Sequence, residues 1–135
     1  MRLIPMTATL CCAILATAAA PAHAGGDRAS RKQAAIDAAV PAGKPESCIP
    51  ITQIRESRVL SDNIIDFHMN NGKVYRNTLP NSCPQLGFEE AFRYETSLSQ
   101  LCSTDIITVL IQGSGVHRGA SCGLGQFQPV TGVPK

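Results

Sequence analysis

The residues with the clearest chemical potential lie in a glycine-rich run, residues 113–125, near the end of the chain. The run contains five glycines, and His117 stands between Ser114 and Ser121. A histidine beside a serine, with a carboxylate to orient the ring, is the arrangement that activates the nucleophile in many hydrolases. A small hydrolase that uses a histidine in or near residues 113–123 is therefore one hypothesis for this chain.

Three residues outside the run belong to the same hypothesis. His68 is a second candidate base, and Asp66 and Asp105 are candidate carboxylates for orienting a histidine. Two of them also have a structural interpretation. His68 would cap or pair on a half-exposed strand face, and Asp105 would cap a turn by accepting backbone N–H bonds.

The local sequence around the serines favours binding over catalysis. Gly113-Ser114-Gly115 puts a glycine directly on each side of the serine, unlike the nucleophile elbow Gly-x-Ser-x-Gly. The glycine spacing matches neither a phosphate-binding P-loop nor a dinucleotide fingerprint. Presentation of Arg118 to a protease as an inhibitory loop is disfavoured, because the segment has no proline to pre-organise it. We assign no catalytic residue and no cofactor, and we predict a long interaction loop that exposes His117 and Arg118.

The N-terminus predicts export. Arg2 precedes an apolar run, residues 8–20, and the small residues that follow suit a signal peptidase that cuts after Ala24. The run is shorter than the roughly 20 residues that span a bilayer, so residues 1–24 are interpreted as a cleaved signal peptide and not as a transmembrane anchor. The 111 residues that follow carry a net charge of about +1, which indicates neither a nucleic-acid surface nor a membrane-adsorbing face. We expect a periplasmic or secreted protein.

Cleavage would remove the first two of six cysteines, and the four that remain predict two disulfide bonds. These are Cys48, Cys83, Cys102 and Cys122. The gaps of 34, 18 and 19 residues between them contain no Cys-x-x-Cys, so a zinc site is disfavoured and no metal is assigned. Three pairings are open. A nesting argument favours Cys48 with Cys122 and Cys83 with Cys102, because one bridge would close a compact unit and the other would join the first strand to the last.

Composition divides the exported part into two segments. Residues 25–47 are rich in alanine, glycine, lysine and arginine with few large aliphatics, which predicts a flexible linker with at most a transient helix over residues 29–40. Residues 48–135 have the short β-branched and aromatic runs of a single β domain. The run at 105–111 is apolar at nearly every position, which predicts a central strand covered on both faces. We expect a mostly β fold, a small curved antiparallel sheet or partly open barrel stapled by the disulfides, with one short helical turn over residues 86–92. The six predicted strands are residues 49–60, 63–69, 73–79, 91–97, 105–112 and 124–130.

The strongest local signal is a β-hairpin with Asn-Gly at its turn. A two-residue loop would put Phe67 opposite the cation of Arg76. A three-residue loop, residues 70–72, instead puts Phe67 opposite Tyr75 and Asp66 opposite Arg76. The second register is favoured, because it separates an apolar stripe from an ion pair on the other face.

Several short motifs resemble a family of small exported proteobacterial proteins that are known only as a four-cysteine domain of unknown function. The resemblance covers roughly residues 48–130, and it implies an envelope or secreted location and a single domain, with no activity or ligand attached. Together with the composition, it leads us to expect a non-catalytic binding or envelope-interaction module whose partner is an envelope protein or a small ligand. The motifs are Cys48-Ile49-Pro50, Asn77-Thr78-Leu79-Pro80, Ser82-Cys83-Pro84-Gln85-Leu86-Gly87, Leu101-Cys102-Ser103-x-Asp105 and Cys122-Gly123-Leu124.

Overall fold

A computed structural model describes residues 24–96 and 98–135. The predicted signal peptide, with the first two cysteines, lies outside the described residues except for Ala24. In the described part, ten strands form three antiparallel sheets that are open and not closed into a barrel. The prediction of a mostly β, antiparallel, disulfide-linked fold is confirmed, although the strands are more numerous and shorter than the six predicted.

The elements follow one another closely along the chain. The helices are α1 (Ala24–Ala38) and the single turn α2 (Leu86–Glu89), and a 3-10 turn covers Ile51–Gln53. The strands are β1 (Val40–Pro41), β2 (Cys48–Pro50), β3 (Ile54–Ser61), β4 (Ile64–Met69), β5 (Val74–Thr78), β6 (Phe92–Tyr94), β7 (Gln100–Cys102), β8 (Ile106–Gln112), β9 (Val116–Gly123) and β10 (Phe127–Thr131).

Three sheets share these strands. The largest has the order β1-β10-β5-β4-β3, a second has the order β6-β8-β9, and β2 pairs with β7 alone. The five-stranded and three-stranded sheets contribute to one core, in which Phe67 of β4 meets Phe127 of β10 edge-to-face at a centroid distance of 5.6 Å. The ring of Phe92 in β6 lies 6.4 Å from the Phe67 ring, centroid to centroid, so Phe67 links the two sheets.

The β4–β5 hairpin has the predicted three-residue register. Phe67 is paired with Tyr75, and Asp66 is paired with Arg76. The turn closes with a hydrogen bond from the Gly72 N–H to the Met69 carbonyl, and Gly72 has a φ of 84°, a conformation that residues with a Cβ rarely adopt. The hairpin therefore turns an apolar face to the core and a charged face to the opposite side.

Helix α1 covers that charged face. The Arg76 guanidinium donates to both carboxylate oxygens of Asp66, each at 2.8 Å, and also to the carbonyls of Ala35 and Ile36 in the last turn of α1, each at 3.0 Å. These carbonyls have no partner within the helix, so a cation there satisfies them and complements the helix dipole. Arg76 thus fixes the end of α1 to the sheet.

The segment expected to be a linker makes extensive contacts. Residues 24–38 form α1, Lys32 donates to the Gly87 carbonyl at 3.0 Å, and Val40 and Pro41 pair with β10. Arg28 and Lys32 both form ion pairs with Glu90. The composition predicted a flexible linker because α1 has little apolar surface to bury. The helix is held instead by hydrogen bonds and ion pairs. The boundaries of the linker and the domain stay predictions.

Both disulfides are present, but the predicted pairing is wrong. Cys48 is bonded to Cys102, and Cys83 is bonded to Cys122. Cys48 and Cys102 are directly opposite each other in the β2–β7 pair. The nesting argument failed because it treated β2 as the start of one long strand and did not predict β7. Each bridge closes a loop long enough to stabilise the fold by about 4 kcal/mol on the chain-entropy model.

Strand β8 is central in its own sheet, but it is not covered on both faces as predicted. Ile107 and Val109 are fully buried, whereas Ile106 is 57 % exposed. The run is apolar on both faces although only one packs on the core. Asp105 just before it does cap a turn, accepting the Cys102 N–H at 2.7 Å.

A close backbone contact holds the segment between β9 and β10. The fully buried Asn77 donates from Nδ2 to the Gly125 carbonyl at 2.6 Å and accepts the Gly125 N–H at 2.9 Å. A Cβ on Gly125 would lie 2.1 Å from the Thr78 carbonyl oxygen. The glycine is required here because only hydrogen fits between the two chains.

We therefore expect Gly125→Ala to destabilise the protein by roughly 3 kcal/mol, the upper range for inserting a methyl group into a packed site. Gly123→Ala is the matched control, because a Cβ there meets nothing within 4 Å. Denaturant unfolding of both variants measures the difference. Equal midpoints would contradict the close contact.

A second prediction concerns the Asp66–Arg76 ion pair. Arg76→Leu leaves the 2 % exposed Asp66 carboxylate without its partner, so it should cost about 3–5 kcal/mol in unfolding free energy. The double variant Asp66→Leu with Arg76→Leu should recover much of that loss. Amide exchange in α1 should nevertheless be faster in the double variant, because the bonds to the Ala35 and Ile36 carbonyls are also lost. Unchanged α1 exchange would show that Arg76 does not anchor the helix.

Candidate functional site

The segment predicted as a long flexible loop is a β-hairpin. Only residues 113–115 form its turn, and β9 (Val116–Gly123) pairs with β8. His117 is opposite Ile111, and Arg118 is opposite Leu110. The loop prediction was wrong because glycine, serine and charged residues are poor strand formers in isolation. His117 and Arg118 are exposed as expected, but they lie on a strand.

A β-bulge in β9 decides the direction in which Arg118 points. Between the pairs Thr108–Ser121 and Leu110–Arg118, β9 has one residue more than β8. Without the extra residue, strict alternation from the inward-facing Cys122 would turn Arg118 toward the core. Gly119 lies within the bulge, and a Cβ there would approach Ile111 at 3.1 Å.

The outer face of the three-stranded sheet therefore carries both cations and apolar groups. Its cross-strand neighbours are paired in two rows, Arg93 with Thr108 and Ser121, and Leu110 with Arg118. A shallow depression of about 400 Å³ lies among them and reaches the exposed Ile106. The Arg93 guanidinium pairs with Glu95, whereas Arg118 has no ion pair within the described part of the chain. We call this set of residues the β9 face. It consists of Arg93, Ile106, Thr108, Leu110, Arg118 and Ser121.

A disulfide bond, core packing and a cross-strand hydrogen bond hold the β9 face in place. Cys122 at the end of β9 is bonded to the fully buried Cys83, and Ala120 and Cys122 pack against the core. The hydroxyls of Thr108 and Ser121 share a hydrogen bond of 2.9 Å across the two strands. An incoming partner would meet a surface that is already ordered, which lowers the entropic cost of binding.

The residues of the hydrolase hypothesis are not brought together. Among the described residues, His117 makes no hydrogen bond to a serine or a carboxylate, and the Ser121 hydroxyl is bonded to Thr108. Asp66 is bound by Arg76, and Asp105 is bonded to the backbone of Cys102. The described residues therefore do not form a chain of hydrogen bonds from a nucleophile through a base to an orienting carboxylate.

A second candidate site was missed by the sequence analysis. A cavity of about 660 Å³, the α1 pocket, lies between α1 and the face of β3 and β4 that points away from the core. The available signal was the spacing of Arg28, Arg31 and Lys32, which places three cations on one side of a helix. The polar residues that line the pocket are Arg28, Arg31, Lys32, Ser57, Arg58, Asp66, His68 and Glu90.

His68 is buried in this pocket, with 2 % of its surface exposed, and not half-exposed as expected. Burial is the main cause that lowers the pKa of His68 below its ordinary value, and the cation of Arg58 lowers it further. Glu56 and Asp66 oppose this effect. The Glu56 carboxyl is itself hydrogen-bonded by Arg58, which lowers the pKa of that carboxyl. His68 is therefore a neutral imidazole at pH 7.

A crevice larger than the α1 pocket, about 840 Å³, lies between β5, β10 and residues 42–46. Its main buried polar group is already occupied, because the Tyr75 hydroxyl donates to Glu46 at 2.9 Å. Burial and this bond to a carboxylate raise the pKa of Tyr75. The crevice offers surface lysines, and its buried hydroxyl already has a partner, so it is the weaker candidate.

Residues 24–96 and 98–135 contain neither a cluster of metal-ligating side chains nor a membrane-spanning helix. No group of three or more histidine, cysteine or acidic side chains is placed there to hold a metal ion. No helix in the same residues is long and apolar enough to cross a membrane. The two disulfides fit a protein of an oxidising, extracytoplasmic compartment.

No protein-family model, curated protein or solved structure matches the chain. The function is therefore argued from the β9 face and the α1 pocket alone.

The buried neutral state of His68 predicts that stability depends on pH. Because the pKa of His68 is lower in the folded protein than the ordinary value of about 6.5, the unfolded chain binds the proton first as the pH falls. The stability from the neutral ring is complete above about pH 7 and is lost between the unfolded and the folded pKa, with a slope of at most about 1.4 kcal/mol per pH unit. Charged groups around the ring come from β3, β4 and α1: Arg55, Glu56, Arg58, Asp66, Arg28, Arg31 and Lys32.

Denaturant unfolding at pH 7.5, 6.5 and 5.5 tests this expectation (the pH values bracket the ordinary histidine pKa of about 6.5). His68→Gln should flatten the fall in stability toward low pH. His117→Gln, which alters an exposed ring, should leave it unchanged. The same slope in all three proteins would show that His68 is not the group responsible.

Proposed function

We propose that this protein is a non-catalytic binding module, exported to the periplasm or the medium, that captures an extended acidic segment of an envelope protein along β9. One observation carries the proposal. The eight-residue strand β9 is the outermost strand of its sheet, and no described residue pairs with its outer edge.

The backbone of an outermost strand supports binding by strand addition. Its outward N–H and C=O groups offer a ready row of hydrogen bonds to a second extended chain. Strand β3, the other long outer strand, packs against α1 and α2, whereas neither helix packs extensively on β9 in the described residues. Strand β9 is therefore the better acceptor for an added strand.

Charge selects the kind of segment. Arg118 projects from the β9 face without an ion pair in the described part of the chain, and Arg93 stands beside it on the same face. The Glu95 carboxylate pairs with Arg93, and the Asp105 carboxylate at the edge of the depression accepts the Cys102 N–H, so Arg118 is the cation that offers its charge to a ligand. An added strand with acidic side chains would complement this face, while the exposed Ile106 would contact its apolar residues.

Export is supported by the N-terminal sequence and by the disulfides. Bonds of this kind persist in the periplasm and outside the cell. The resemblance to small exported four-cysteine proteins agrees with this location and stays a prediction.

Amide exchange and NMR shifts with defined peptides test the proposal. A short peptide of alternating threonine and glutamate should slow exchange and shift resonances in β9, and a threonine–lysine peptide should bind about tenfold more weakly at low salt. Arg118→Glu should reverse this preference, because it inverts the charge of the face.

Arg55→Glu is the matched control, since Arg55 is exposed on β3, the other long outer strand. It should leave the preference of β9 for the acidic peptide unchanged. Protection of β3 in place of β9, or equal binding of both peptides to the native protein, would refute the proposed function.

A further inference from the structure

The α1 pocket has the size and shape of a small-molecule site. Its volume of about 660 Å³ is within the range of roughly 300–1,000 Å³ that ligand pockets occupy. Part of the lining is apolar, which suits the body of an organic ligand. The apolar side chains come from α1, β3 and the segment after β10: Ala34, Ala35, Leu60, Val133 and Pro134. Val59 also borders the pocket, but its side chain belongs to the core.

The charged lining of the pocket is predominantly positive. Four cations and two carboxylates line it, and both carboxylates have partners. Asp66 is held by Arg76, which belongs to the sheet, and Glu90 is shared by Arg28 and Lys32. Arg58 is paired with Glu56, so the surplus of positive charge comes from Arg28, Arg31 and Lys32, and it favours a negatively charged ligand.

Arg31 is the cation best able to hold such a ligand. Its Nε donates to the Asp27 carbonyl in the preceding turn at 3.1 Å, which fixes the direction of the side chain. Among the described residues, its two terminal nitrogens have no hydrogen-bond partner. These nitrogens have the planar, forked geometry that binds a carboxylate or phosphate through two bonds.

His68 supplies a second polar group in the same pocket. The residue is 2 % exposed, and neither ring nitrogen is hydrogen-bonded to a described residue. No fully buried side-chain nitrogen or oxygen among the described residues lacks a partner, so the unbonded ring nitrogens keep some accessible surface. A neutral imidazole can donate one hydrogen bond to an oxyanion. The strand-addition site on β9 makes no use of His68.

We propose that the α1 pocket binds a small organic anion that has an apolar body and a carboxylate or phosphate head, with Arg31 and His68 at the head and the apolar part of the lining along the body. This site shares no lining residue with the β9 face, so a polypeptide and a small anion would not compete for the same side chains.

Four probes test this proposal by NMR at pH 7.5, above the ordinary histidine pKa of about 6.5. They are octanoate, octyl phosphate, octanol and inorganic phosphate. Octanoate, octyl phosphate or both should shift the His68 ring resonances and the α1 amides. Octanol and inorganic phosphate, which each lack one half of the ligand, should bind at least about tenfold more weakly. The stronger of the two anions identifies the head group.

Arg31→Gln should weaken binding of the preferred anion about tenfold, since it removes the forked cation from an exposed turn of α1 without disturbing the core. Lys73→Gln removes one positive charge from the distant β4–β5 turn and should have no effect. Far-UV circular dichroism confirms that both variants fold. Octanol binding as tightly as octanoate, the absence of a His68 shift with either amphiphilic anion, or unchanged affinity in Arg31→Gln would overturn the proposal.

Discussion

The two-sided interaction of Arg76 is the constraint on which the layered structure depends. Its guanidinium neutralises the buried Asp66 carboxylate on the neighbouring strand. The same group caps α1 by donating hydrogen bonds to two carbonyls in the last turn of the helix. A side chain with a single point charge could not serve both partners with this planar geometry. The same contact determines where α1 lies, and the position of α1 defines the pocket above His68.

The remaining order of the molecule comes from covalent links between small sheets. The β2–β7 pair is too short to be stable alone, and the Cys48–Cys102 bond joins its strands directly. The Cys83–Cys122 bond attaches the outermost strand β9 to the core. Together with the pairing of β9 to β8, this bond orders the edge of the sheet that an added strand would meet.

Local sequence signals predicted the parts of the fold that local physics determines. The Asn-Gly turn and the alternation around Phe67 were sufficient for the register of the hairpin, because one slip would have placed a cation against the core. The Cys48–Cys102 bond depends on the pairing of β2 with β7, and the two cysteines are 54 positions apart in the chain. No local sequence pattern predicts a contact over that separation. His117 and Arg118 were correctly predicted to be exposed. Strand β9, to which they belong, was not predicted, because its glycines are typical of a loop. The pocket was not predicted, since it arises only where a polar helix crosses a sheet.

The bulge in β9 has an evolutionary consequence. Side chains on a strand alternate with a period of two, and the extra residue shifts this phase between Cys122 and Arg118. A deletion of one codon near Gly119 would therefore leave every remaining side chain intact, yet it would exchange the inner and outer positions of the distal half of the strand. A change of chain length at this position would thus alter which side chains face outward, without any substitution of those side chains.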